Sequence, residues 1–219
     1  MVLDYYYILH SAPCRGPMMV AKALGIELNL KKVDLLQKEQ LKPEFVAINP
    51  QHTVPTLVDG DFTLWESKAI IGYLAGQYGK DDSIYPTDPK KRALVDRFLY
   101  YDMGLHETFR AWAHPVMKEN ALPDPEKKEK LHEAIDKLEQ HFKRNSTKFV
   151  VGDSVSVADH TLACAITTYR ELGVDLTRHP EVEAWLQRCA DTMPGYEEIC
   201  LEGARQMAAK FKPMLSRTK

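Results

Sequence analysis

The rhythm of apolar and polar positions changes once along this chain, near residue 80. Before that point strand-like and helix-like stretches alternate; beyond it nearly every stretch carries helical periodicity. Leu3 to Leu9 is short, aromatic and aliphatic, which predicts a buried strand. Ser11-Ala12-Pro13 then reads as a helix start, a hydroxyl residue ahead of a proline in the first turn. Residues 13–24 are rich in Met, Val, Ala and Leu, and Gly25 supplies the stop. Leu28 to Leu35 predicts a second strand through Leu28, Leu30 and Val33. Pro43 to Ile48 predicts a short helix. Thr56 to Val58 and Phe62 to Leu64 flank Asp59-Gly60-Asp61, a hairpin signal. Glu66-Ser67 opens a helix whose apolar face carries Ala69, Ile70, Tyr73 and Leu74. The predicted order is βαβ, helix, ββ, α.

Gly79-Lys80-Asp81-Asp82-Ser83 through Pro86 and Pro89 is dense in turn formers. We therefore expect a first domain over residues 1–80, a linker over 81–90 and an all-helical domain over 91–219. In the last, Leu131, Ile135, Leu138 and Phe142 recur at helical spacing, and Ser156-Val157-Ala158-Asp159 fits a capping motif. Pro123-Asp124-Pro125 and Met193-Pro194-Gly195 mark turns.

Composition narrows the function classes. The 219 residues carry a formal net charge of -2, 44% hydrophobic and 27% charged residues, an ordinary globular profile. The near-neutral balance points away from nucleic acid. No apolar run approaches the roughly 20 residues of a membrane helix, and the first residues lack the basic-then-apolar pattern of a secretory signal. Cys14, Cys164, Cys189 and Cys200 form no C-x-x-C pair, which argues against a zinc site or disulfide framework and for free thiols in a reducing compartment. His106 and His114 could share a helix face, but no third metal ligand is spaced to join them.

Three stretches carry candidate chemistry. Ser11, at a strand-to-helix turn, lies where backbone N–H groups and the helix dipole favour an anion. A thiolate is such an anion. Lowering a thiol pKa of about 8.5 by ~2 units needs only ~2.7 kcal/mol, and one hydrogen bond to a charged acceptor supplies ~1.5–3 kcal/mol. The serine would then be a donor, not a base or nucleophile; on spacing alone it also reads as a plain N-cap. In Asn49-Pro50-Gln51-His52-Thr53-Val54-Pro55-Thr56-Leu57 the proline keeps Val54 extended, so an extended peptide could pair with its backbone; an ordinary turn proline is the alternative. Glu66 and Ser67 at a helix start could take an ammonium and a carboxylate, or could merely cap the helix.

Together these segments resemble the cytosolic glutathione transferases: Ser11-Ala12-Pro13-Cys14-Arg15, the Asn49 to Leu57 stretch, and Trp65-Glu66-Ser67-Lys68-Ala69-Ile70 match that family in order and spacing. The first looks most like the insect delta class, with the epsilon class second. Tyr85-Pro86, Lys90-Lys91-Arg92, Tyr100-Tyr101-Asp102-Met103-Gly104 and Val151-Gly152-Asp153-Ser154 extend the match over nearly the whole chain. The resemblance implies an α/β thioredoxin-like N-terminal domain followed by an all-α bundle. It implies glutathione as co-substrate, no cofactor, a cytoplasmic homodimer, and conjugation of the glutathione thiolate to apolar electrophiles. Peroxide reduction or loss of hydrogen halide would be variants on the same thiolate.

Carried over residue by residue, the resemblance makes Ser11 the thiolate-stabilising group. His52 and Gln40 would serve the glycine end, the Val54 backbone before a cis Pro55 the cysteinyl part, and Glu66, Ser67 and Lys68 the γ-glutamyl end. Met103, Phe109, Trp112, Met117 and Phe211 are the candidate walls of an apolar pocket; each also reads as helix packing, Trp112 most of all. Three departures stand out. Lys68 replaces the family's usual arginine, which alone holds a carboxylate bidentately; Gln40 replaces a histidine; and the helix over Leu105 to Pro115 is one residue shorter than in many delta members. Lys68 and Gln40 are what would favour a non-catalytic ligand-binding or structural member of the fold. Cys14 stands where thioredoxin-like redox proteins carry their second cysteine, but with Ser11 in first place the attacking thiol is missing.

Overall fold

The structure is a computed structural model and describes residues 3–217. The first segment builds a four-stranded sheet of order β2-β1-β3-β4 from β1 (Leu3–Tyr7), β2 (Leu28–Lys32), β3 (Thr56–Asp59) and β4 (Phe62–Trp65). β1 pairs parallel with β2 and antiparallel with β3, which pairs antiparallel with β4. Helix α1 (Ala12–Leu24) makes the β1–β2 crossover, α2 (Pro43–Ile48) precedes β3, and α3 (Ser67–Tyr78) follows β4.

Two strands end sooner than the apolar pattern predicts. β1 stops at Tyr7 because Ser11 N–H turns back to the Ile8 carbonyl (3.1 Å). β2 stops at Lys32 because the Asp34 carboxylate accepts from the N–H groups of Leu36 and Gln37 (2.9 and 3.2 Å), a local turn that competes with the ladder. β2 is also an edge strand, so Leu30 is largely exposed where alternation placed it inward.

Among the described residues seven helical segments follow the turn-rich stretch after Tyr78: α4 (Pro89–Glu119), α5 (Pro125–Asn145), α6 (Val157–Glu171), a single turn at Leu176–Arg178, α7 (Pro180–Thr192), a wide turn at Tyr196–Leu201, and α8 (Glu202–Leu215). Their starts follow the sequence signals. Asp88 caps α4 through Lys91 N–H (2.9 Å), and Asp124 caps α5 through Glu126 N–H (2.9 Å). At α6 the fully buried Asp159 accepts from Ser156 N–H (2.8 Å), Ser156 Oγ (2.7 Å), Val150 N–H (2.9 Å) and Trp185 Nε1 (3.0 Å). The predicted capping residue thus ties three elements together.

α6 is buried along nearly its whole length and packs on α1. Gly16 lets the two helices approach: a Cβ there would meet Ile71 and Thr161 at 3.2 and 3.4 Å. Arg15, on the same helix, is fully buried and donates to the Cys200 carbonyl and Thr168 Oγ1. A Cβ on Gly203 would collide with Arg15 and with the Leu9 carbonyl, so only glycine fits at that crossing. The Ile84 carbonyl accepts from Val157 N–H (2.9 Å), anchoring the intervening stretch to the start of α6. Thus α1 and α3 on one side and α4 and α6 on the other form the walls of a single groove.

Candidate active site

That groove is a cleft of about 650 Å³ between the sheet-bearing segment and α4. Its first wall comes from the start of α1 (Ala12, Pro13), the stretch before β3 (Val54, Pro55) and the start of α3 (Glu66, Ser67, Lys68). The opposite wall is a face of α4 on which Leu99, Asp102 and His106 flank a stripe running from Asp96 through Tyr100, Met103 and Glu107 to Arg110. Steps of four and three residues keep such a stripe on one helix face.

Ser11 occupies the N-cap position of α1 with extended backbone (φ -81°, ψ 116°), yet its side chain makes no capping hydrogen bond. The hydroxyl thus leaves the first backbone N–H groups of α1 uncapped and lies beside the Cys14 thiol. Ser11 directly precedes Ala12 and Pro13, which line the cleft, at the positive end of α1. Cys14, one turn on, is fully buried, and burial pushes its thiol pKa up to about 11 despite the nearby Ile8 backbone and Ser11 hydroxyl, which pull it down.

The Val54–Pro55 peptide bond is cis, and both residues line the cleft. Asn49, buried behind them, donates through Nδ2 to the Thr53 carbonyl (3.2 Å), Thr53 Oγ1 (3.1 Å) and Thr56 Oγ1 (2.9 Å), which holds the loop against β3. Glu66 lies in the left-handed region (φ 69°), a costly backbone for a residue with a Cβ. Its side chain is exposed and makes no cap bond, so the carboxylate is free at the cleft edge while Ser67 is buried below it.

Lys68 points across the groove. Its ammonium pairs with the Asp102 carboxylate and donates to Thr161 Oγ1 (2.7 Å), and Thr161 Oγ1 donates to Asp102 Oδ2 (2.8 Å). Asp102 is 2% exposed and its Oδ1 has no partner. A point charge thus joins α3, α4 and α6 in the place where a planar guanidinium was expected. His106, next to Asp102 on α4, also faces the cleft; burial is the main cause that lowers its pKa below the ordinary imidazole value.

Of the residues singled out from sequence, Val54, Pro55, Glu66, Ser67, Lys68 and Met103 line this cleft, and Ser11 adjoins it. His52 is exposed with positive φ (46°) and lies off the lining. Gln40 also lies off it, on the single turn Glu39–Leu41, with its Oε1 buried and unpartnered. Phe109 and Trp112 must be corrected: at 3% and 1% exposure they belong to the helical core, where Phe109 stacks on Tyr169 (4.5 Å between centroids). Met117 and Phe211 pack against that core and do not line the cleft. Thr161, His106 and Arg110 were missed. Among the described residues no group of three or more His, Cys, Asp or Glu is placed to hold a metal ion, and no helix is long and apolar enough to cross a membrane.

Comparison with known proteins places this geometry in a family. Residues 1–76 match the model described as glutathione S-transferase, N-terminal domain, and residues 101–192 match its C-terminal domain. Among solved structures, a delta-class glutathione transferase of Nilaparvata lugens is 44% identical, with TM-score 0.93, over 97% of this chain and 99% of that one. An epsilon-class glutathione S-transferase of the housefly, Musca domestica, is 34% identical, with TM-score 0.91, over 98% and 100%. A glutathione transferase homologue of Drosophila mojavensis, solved with bound glutathione, is 34% identical, with TM-score 0.90, over 97% of each.

Proposed function

The chain belongs to the glutathione S-transferase family, and from that premise we propose that Ser11 holds the glutathione sulfur as a thiolate in the cleft. It is an enzyme that conjugates glutathione, its co-substrate, to electrophilic apolar compounds. In the step we propose, the thiol proton leaves to solvent, the Ser11 hydroxyl and the N-terminus of α1 stabilise the remaining charge, and the sulfur attacks an electrophilic carbon. A C–S bond forms and the leaving group departs with its electron pair.

The observation that carries this reading is the Ser11 hydroxyl, on an N-cap residue without a capping bond, directly before the cleft-lining Ala12 and Pro13. One charge-assisted hydrogen bond supplies ~1.5–3 kcal/mol, the size needed to ionise a thiol near neutral pH. Around it, the Val54 backbone before the cis Pro55 is suited to the cysteinyl part, and the free Glu66 carboxylate with Ser67 to the γ-glutamyl end. His52, exposed ahead of the cleft-lining Thr53 and Val54, and Gln40 are proposed for the glycine end. Lys68 supports the γ-glutamyl subsite indirectly, by fixing the start of α3 against Asp102.

The higher identity to the delta-class structure favours that class over epsilon. Exposed Tyr100 and Met103 on α4 favour a homodimer in which this face meets a second copy, and four buried free thiols favour a reducing, cytoplasmic setting. Sedimentation at micromolar concentration tests the first point. Peroxide reduction and hydrogen halide elimination would draw on the same thiolate. A non-catalytic role has no observation in its favour.

Ser11→Ala is the deciding experiment. Turnover with a generic aryl halide should fall roughly 10–100-fold, and the pH at which bound thiolate absorbance appears should rise. If neither changes, Ser11 is not the donor.

A further inference from the structure

Most side-chain donors along the cleft are already spent on the protein itself. The Tyr85 hydroxyl donates to Asp96 (2.8 Å), Arg110 donates to Glu107 (2.9 Å), and Lys68 and Thr161 are both held by Asp102. The Tyr100 side chain is 73% exposed, where water competes for its hydroxyl. His106 differs from all of these. It is half-buried on the α4 wall, and among the described residues its imidazole makes no hydrogen bond. We propose that His106 is a further catalytic residue, which donates a hydrogen bond to the oxygen of an electrophile whose reacting carbon is conjugated to a carbonyl. The inference deepens the transferase reading above and rests on it.

The charge state of the ring suits this role. Burial, the largest influence, lowers its pKa below the ordinary imidazole value. Four charged groups act on it besides: Asp102, Glu107 and Arg110 along α4, and Lys68 from α3. Two of these are negative and two positive, so they largely offset one another. At neutral pH the ring is therefore uncharged and keeps one N–H. A neutral imidazole polarises a carbonyl without giving up its proton.

Position supplies the rest of the argument. The start of α1 stands on one wall of the cleft and His106 on the other. An electrophile between them meets the thiolate from the α1 side and presents its far end to α4. The sulfur lone pair forms the C–S bond at the β carbon, the C=C pair shifts toward the carbonyl, and the oxygen takes the negative charge as an enolate. That oxygen becomes anionic only as the bond forms, so the His106 hydrogen bond strengthens toward the transition state, which is what lowers a barrier. Solvent then returns a proton to the α carbon, replacing the one lost from the thiol. An alkyl halide gains nothing from this donor, because its charge departs on the halide.

Conjugation of trans-2-hexenal and of benzyl chloride by the full chain, with saturating glutathione, tests this in the parent, His106→Leu and His106→Gln. In His106→Leu we expect kcat/KM for hexenal to fall about 10–100-fold, the loss of one hydrogen bond to a charged acceptor, and that for benzyl chloride to change less than about twofold. His106→Gln keeps an N–H donor and should recover much of the hexenal rate. Equal changes for the two substrates in His106→Leu, or no change in either, would overturn the role of His106. So would a glutamine variant no better than the leucine one, or a parent that turns over benzyl chloride but not hexenal. A parent inactive on both would remove the transferase reading itself, and this inference with it.

Discussion

Replacing Lys68 by methionine tests whether the bridge across the groove is structural. The substitution keeps the side-chain length and removes only the ammonium. What remains is Asp102, 2% exposed, with Thr161 Oγ1 on Oδ2 and nothing on Oδ1. Removing one partner of a buried pair costs about 3–5 kcal/mol, because the other charge stays buried. The Lys68 side chain is itself 18% exposed, so water can reach the vacated space, and we expect about 2–3 kcal/mol. The assay is equilibrium unfolding in urea at one fixed protein concentration, followed by circular dichroism and tryptophan fluorescence. The double variant Lys68→Met/Asp102→Leu should recover most of the loss, since it buries no charge. A loss below about 0.5 kcal/mol in the single variant, the worth of an exposed pair, would show that the bridge does not hold α3 to α4 and α6.

Further outcomes follow from buried groups. Cys14 is buried and its thiol sits near pKa 11, so iodoacetamide at neutral pH should leave it unmodified in the native protein, as mass spectrometry would show; rapid labelling would revive a redox role. Asp159→Ala removes the acceptor of four buried donors and should lower stability by about 3 kcal/mol or more, read as a shift in urea midpoint. Burial lowers the pKa of His132, His160 and His179, and takes His114 down to about 4. The unfolded chain takes up these protons first, so the neutral-histidine stability is complete above about pH 6.5 and is lost as pH falls below it. The thermal midpoint should therefore drop between about pH 7 and pH 5; a flat or rising profile would contradict this.

The first 80 residues were the more legible part, and the reason is chemical. Their elements are bounded by residues with one strong conformational preference. Pro13 stands in the first turn of α1, Gly25 ends that helix with φ 70°, and Gly60 turns the β3–β4 hairpin with φ 60°. The strand ends were missed where a side chain outcompetes the ladder, as Asp34 does after β2. Nor does sequence spacing reveal that Ser11 fills a cap position without capping, since that depends on where one hydroxyl points.

The pocket walls failed for a different reason, and α4 shows it. Apolarity by itself suggests a substrate wall, yet an apolar stripe on a helix marks what the protein itself covers. Leu105, Phe109, Trp112 and Val116 are all buried on that stripe. The cleft wall follows instead the stripe Asp96, Tyr100, Met103, Glu107 and Arg110, with Leu99, Asp102 and His106 along its edge, as regular in spacing and mostly polar. One residue breaks the rule in an informative way. Asp102 lies on the buried stripe, where an acid without a partner would be prohibitive. That position alone demands a cation from another element, and Lys68 is the one the fold delivers. A charged residue out of phase on an apolar face was thus the best available signal for how the two halves of the chain are joined.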